Sequence, residues 1–156
     1  MSVEAQLAEK LAKLGLELPP APEPKGLYRS VVVSGNLAFT SGHLPMDAAG
    51  KLMTGRVGAG LDVQAGFRAA QWAGLNILAS LRKELGSLDR VGRVVKILGA
   101  INCTSDFTQQ PAVLNGCSEL FAEVFGRDAG VGARSAVGVN TLPLGVPVEI
   151  EAIFEI

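Results

Sequence analysis

Two runs near the C-terminus constrain this chain more than any other stretch. Gly132-Ala133-Arg134-Ser135-Ala136-Val137-Gly138-Val139-Asn140 and Val148-Glu149-Ile150-Glu151-Ala152-Ile153-Phe154-Glu155 both alternate with period two and are rich in valine and isoleucine, the pattern of half-buried strands. Pro143 and Pro147 bracket a bend between them, because proline cannot donate to a central ladder. On the first strand Arg134 shares its face with only Ala136, Gly138 and Asn140, which leaves open space around the guanidinium. On the second, Val148, Ile150, Ala152 and Phe154 form a core face, and Glu149, Glu151, Ile153 and Glu155 an acidic one. A simple hairpin about Leu144-Gly145 would set Asn140 beside Glu149 and leave Arg134 about six residues, or roughly 20 Å, farther along.

Upstream, Tyr28 to Val33 and Leu37 to Ser41 are β-prone runs separated by the turn signal Ser34-Gly35-Asn36, which makes them a hairpin. Lys51-Leu52-Met53 offers a further short strand. From Asp62 to Leu85 the period becomes helical through Phe67, Ala70, Gly74, Ile77, Leu81 and Leu85, with Asp62 as cap and Gly86 as stop. Val91 to Cys103 is apolar with little alternation, which predicts a strand covered on both faces. Pro111 opens a second long helix with a stripe of Leu114, Cys117, Phe121 and Phe125.

This order predicts an α+β domain with two helices on one face of a mixed sheet. Two helices cannot cover both faces, so the other face is expected to bury itself against copies of the chain. Residues 1–25 stand apart from the 26–156 domain as an appendage docked on it. Ser2 caps a short helix striped by Leu7, Leu11 and Leu14 and stopped by Gly15, and four of the eight prolines follow in an extended connector from Leu18 to Pro24.

At 156 residues the chain can bury a core without disulfide or metal staples. Its net charge of −1 supplies no electrostatic footprint for nucleic acid or an anionic membrane, and no apolar run reaches the roughly 20 residues that span a bilayer. Cys103 and Cys117 read as buried thiols in a reducing compartment, with the cytoplasm the expected location. His43, the single histidine, has no neighbouring nucleophile or ligand cluster and supports neither a triad nor a metal site.

Ala133-Arg134-Ser135-Ala136-Val137-Gly138-Val139, followed by Leu142-Pro143 and Val148-Glu149-Ile150-Glu151-Ala152, resembles the C-terminal signature of the Rid family, also called YjgF. Phe39-Thr40-Ser41-Gly42-His43-Leu44-Pro45 is similar to that family's strand-to-loop motif, and Asn76-Ile77 also matches. The resemblance covers about residues 26–156. It implies a chorismate-mutase-like fold assembled as a homotrimer, with sites in clefts between subunits. The implied activity is hydrolysis of small reactive enamines and imines carrying a carboxylate to 2-keto acids and ammonia. No metal or organic cofactor is implied; the implied partners are a small carboxylate-bearing metabolite and further copies of the chain.

Carried onto this sequence, the resemblance gives Arg134 the substrate carboxylate, a contact that suits its planar, permanently charged fork. Glu149 is implied to position water and assist proton transfer, Tyr28 to line the pocket, and Asn115 to stand near the cleft. Ser41 and Gly42 are implied to supply backbone amides. Ala136 stands where the best-known members have cysteine and keeps the backbone carbonyl thought to serve the site. Without the resemblance, Arg134 reads equally as a structural ion-pair partner of Glu149 or Glu151, Glu149 as a solvated acid, and Tyr28 as packing. Asn115 reads equally as an exposed helix residue, and Gly42 as a glycine needed for its backbone angles. The Leu27-Tyr28-Arg29 context and the leading 25 residues depart from the compact members and mark a divergent subgroup. A non-catalytic trimer binding a carboxylate metabolite is the alternative; a ribonuclease or translation inhibitor is opposed by the charge balance.

Overall fold

A computed structural model describes residues 1–156. Helix α1 (Val3–Leu14) leads through the connector to strands β1 (Val31–Ser34) and β2 (Leu37–Thr40). A two-residue parallel ladder of β3 (Arg56–Val57) and β4 (Gly60–Leu61) precedes the long helix α2 (Val63–Leu85), and β5 (Arg93–Asn102), α3 (Gln110–Phe125), the one-turn α4 (Arg127–Gly130), β6 (Ala133–Val139) and β7 (Val148–Glu155) complete the chain. The main sheet is mixed, in the order β1-β2-β7-β5-β6, and only the β5–β6 pair in it is parallel.

Local chemistry sets the ends of these elements. Asp62 accepts a hydrogen bond from the Ala65 amide at the start of α2, and Gly86 ends that helix at φ 83°; Ser2 and Gly15 do the same for α1, as left-handed glycine caps do. Gly35, at φ 61°, takes the first position of the two-residue turn between β1 and β2, which suits the twist of a hairpin.

Both α2 and α3 lie on one face of the sheet, and Ile97, Ile101, Val148, Ile150, Ala152 and Phe154 point into the core beneath them. Phe121, Phe125 and Phe154 meet edge-on or tilted with centroids 5.6–6.0 Å apart. The two helices approach closely at Gly116, where a Cβ would stand 2.0 Å from the Phe67 carbonyl oxygen. Only glycine admits that contact.

The amino-terminal helix packs over this helical layer. Leu7 is fully buried in the common core, Glu4 pairs with Arg82 at 2.5 Å and accepts from the Leu88 amide, and Lys10 pairs with Glu123 at 2.6 Å.

The structure corrects three expectations. The last two strands are not a hairpin: β6 and β7 flank β5 on opposite sides, because the connection through Asn140–Pro147 crosses β5 instead of folding back beside it. Strand β5 is covered on one face only, by α3 and α4, while the other leaves Val95 exposed and Leu98 and Ala100 half-exposed. Its unbroken hydrophobicity therefore reports a face with no cover within one chain. Finally, Leu52 makes an isolated bridge to Met46 and no strand.

Val32, Phe39 and Ile153 lie in register across the open face, with Val32 and Phe39 exposed. Val137 continues the apolar surface beyond Ala100. No helix is long and apolar enough to cross a membrane.

Candidate functional site

The residues singled out from sequence fall into two clusters. The first lies on the edge strand β6, where Arg134 pairs in register with Ile97 and so shares the helix-covered face. Its Nη1 donates to Asn115 Oδ1 and to Ser118 Oγ, both at 2.9 Å. Those two acceptors stand one turn apart on α3, so the helix holds the guanidinium at a fixed bearing. Arg134 makes no ion pair with any carboxylate of its own chain, which removes the structural pair with Glu149 or Glu151. The exposed guanidinium keeps its other donors free. Ala136, two residues on, lies on the same face in register with Gly99.

The second cluster surrounds a cavity of about 550 Å³ whose walls include Tyr28, Ser41, Gly42, His43, Asn76 and Glu149. Glu149 sits opposite Ala100 on β5, on the open face of the sheet. Its carboxylate lies against Gly42, where a Cβ would be 2.3 Å from Oε1. Gly42 is therefore needed for space. Burial, and then the nearby Glu151, push the Glu149 carboxyl above its ordinary value of 4.5. A carboxyl so shifted, beside a cavity, is suited to passing protons.

The segment from Ser41 to His43 is fixed from several sides. The Ser41 amide donates to the Ser30 carbonyl at 2.9 Å and its hydroxyl to the Arg29 carbonyl at 2.5 Å. The expected amide pair is therefore halved: Ser41 N–H is already used, and Gly42 N–H alone is unpartnered in the chain. His43 is buried, with Nδ1 2.6 Å from the Ser41 carbonyl and Nε2 2.8 Å from Ser80 Oγ. A carbonyl only accepts, so Nδ1 carries the proton and Nε2 accepts from the Ser80 hydroxyl. Burial holds the imidazole pKa below 6.5. Histidine here anchors the loop on which Gly42 rides.

Tyr28 is half-exposed, its ring packed on Gly26. Arg29 lines a separate hollow of about 200 Å³ with Lys83 and Glu84, outside the cavity that holds Glu149. Sequence reasoning missed Ser118, for which the signal was its three-residue spacing from Asn115. It also left Asn76 without a role. That side chain donates to the Met46 and Trp72 carbonyls, while its buried Oδ1 has no partner at the cavity wall. No cluster of three or more His, Cys, Asp or Glu side chains is placed to hold a metal ion.

The two clusters do not meet within one chain. Arg134 and Glu149 are two strands and three residues apart, about 14 Å by sheet geometry, and their side chains leave opposite faces. One cluster offers a cation without a carboxylate, and the other a carboxylate without a cation.

Residues 8–150 match the family model described as "YjgF/chorismate_mutase-like, putative endoribonuclease". The chain belongs to the YjgF family. It is 44% identical over 158 residues to Protein TCP17 of Trypanosoma cruzi, covering 100% of this chain and 99% of that one. It is 32% identical to a YjgF relative named 2-iminobutanoate/2-iminopropanoate deaminase from Dermatophagoides farinae, across 88% of this chain and 92% of that one. Among solved structures, the protein Atu1372 of Agrobacterium tumefaciens superposes with a TM-score of 0.87 at 41% identity, over 99% of this chain and 92% of that one. The α+β fold with a mixed sheet is thus a YjgF fold, and the family includes imine deaminases.

Proposed function

We propose that the chain hydrolyses small carboxylated enamines and imines to 2-keto acids and ammonia, in clefts completed by a second copy within a homotrimer. The observation that carries this reading is the division of the candidate residues into two incomplete halves on opposite faces of one sheet. Joining the Arg134–Asn115–Ser118 edge of one copy to the Tyr28–Gly42–Glu149 cavity of the next supplies both charges to one small molecule. The uncovered apolar face supports the same assembly.

In such a cleft the free guanidinium donors of Arg134 pair with the substrate carboxylate. Glu149 takes a proton from water as the water oxygen bonds to the imine carbon. That proton passes to the nitrogen to give a carbinolamine; Glu149 then moves the hydroxyl proton to the nitrogen as the C–N bond breaks, so the carbonyl forms and ammonia leaves. An enamine first becomes the imine by gaining a proton at its β-carbon and losing one from its nitrogen. The Gly42 N–H is free to donate to the developing oxygen. Overall, imine and water become keto acid and ammonia.

Keto acid and ammonia release from imines generated in situ tests the activity. Arg134→Ala is expected to lose most of the activity at imine concentrations below KM, and a wild-type rate no faster than the uncatalysed reaction would leave only a binding protein. Shared clefts are tested by mixing inactive Arg134→Ala and Glu149→Ala subunits after dissociation. Random trimers would contain about one quarter intact clefts, since each half is present with a probability of about one half. No recovery of activity would sink the shared site.

A further inference from the structure

We infer that the proline-rich connector and the strained Leu144 build a side-chain subsite that selects imines with an apolar group larger than methyl. This rests on reading the Glu149 cavity as the imine site. The cavity of one chain, about 550 Å³ before a second copy closes it, falls in the range of roughly 300–1,000 Å³ that holds drug-sized ligands, more than a three-carbon imino acid fills. Its surplus is apolar: Pro22, Leu44, Met46, Leu52, Pro143 and Leu144 line it.

Two features show that this wall is constructed. Leu144 is the one non-glycine residue with positive φ, at 58°, a conformation that is costly for a bulky side chain. It is also 72% exposed, so no core packing within the chain accounts for the strain. Hydrogen bonds from the Gly55 amide to the Gly145 carbonyl and from the Gly145 amide to the Leu142 carbonyl hold the turn, leaving the leucine on the cavity wall.

The second feature is that the connector is tied down. Glu23 pairs with Lys83 at 2.5 Å, Ser30 Oγ donates to the Pro22 carbonyl at 3.4 Å, and Leu7 anchors the helix before it. Pro22, Glu23, Lys25 and Gly26 thereby close one side of the cavity. The segment that departs from the compact pattern is thus a part of the pocket. Met46 adds an unbranched side chain that adapts to different apolar shapes.

The test compares kcat/KM for imines generated by an amino-acid oxidase from leucine and from alanine. The wild-type chain is expected to favour the leucine-derived imine by at least about tenfold, from the methylenes it buries. Leu144→Gly removes the side chain and relieves the strained backbone, so its melting temperature should hold or rise while the leucine-to-alanine ratio drops toward one. Pro22→Asp, on the connector, should lower the same ratio through a charge on the apolar wall. Unchanged ratios in both folded variants would overturn the subsite and leave the deaminase reading standing. Absence of turnover of either imine by the wild-type chain would overturn both.

Discussion

The Arg134 edge and the Glu149 cavity solve opposite problems. Arg134 is exposed and held by two neutral acceptors on α3, so its charge is aimed and remains unspent. Glu149 is half-buried and pressed against a glycine, with its carboxyl pushed upward by burial, so its charge is poised to be lost and regained. On the proposed reading one half binds an anion and the other moves a proton. Kinetics can separate them, because lost ground-state binding raises KM whereas lost proton transfer lowers kcat.

Arg134→Ala should produce the largest change, a loss of about a hundredfold in kcat/KM carried mainly by KM, as expected for hydrogen bonds to a charged group. Arg134→Lys should recover only part, since an ammonium cannot make the planar two-point contact. A kcat-dominated loss in steady-state assays would break the division of labour. Gly42→Ala should act in the other sense, lowering kcat by roughly thirtyfold with little change in melting temperature, because the intruding methyl displaces a flexible carboxylate. Ser118→Ala should cost about fivefold in KM, the worth of one hydrogen bond to the guanidinium.

Two smaller effects are read against pH. Because the Glu149 carboxyl lies above 4.5 in the folded chain, its ionised form opposes folding once the pH exceeds that value. Glu149→Gln should therefore raise the melting temperature slightly at pH 7, by about 1–2 °C given the partial exposure. The gain should vanish below pH 4.5; a gain that persisted there would point to packing instead. Glu151→Gln should shift the acid limb of the rate profile downward.

For His43 the sign is reversed. Its pKa is depressed below 6.5 by burial, so the neutral ring contributes stability that falls away as the pH drops below 6.5 toward the folded value. His43→Gln should flatten that loss in thermal melts from pH 7.5 to 5, while His43→Leu, which strands Ser80 and the Ser41 carbonyl, should cost about 2 kcal/mol at pH 7.

Helix limits were legible in the sequence because caps are local chemistry: Ser2, Gly15, Asp62 and Gly86 all stand where their side chains or backbone angles require. The alternation of the final strands was legible too, since period two marks the buried face without any knowledge of neighbours. Strand order was not, because the same alternation fits a hairpin and a crossover over β5 equally well. For the same reason Arg134 and Glu149 could be named but not placed on opposite faces. Contacts such as Glu149 on Gly42, or His43 on Ser80, join distant parts of the chain, and no local pattern records them.

Gly116 has a consequence beyond the packing of two helices. It lies between Asn115 and Ser118, the two residues that steer Arg134, and its backbone rests on the Phe67 carbonyl of α2. A methyl group there would push α3 outward and carry both acceptors away from the arginine. A mutational scan scored on activity would then flag a residue that never meets substrate, and the helix crossing would masquerade as chemistry.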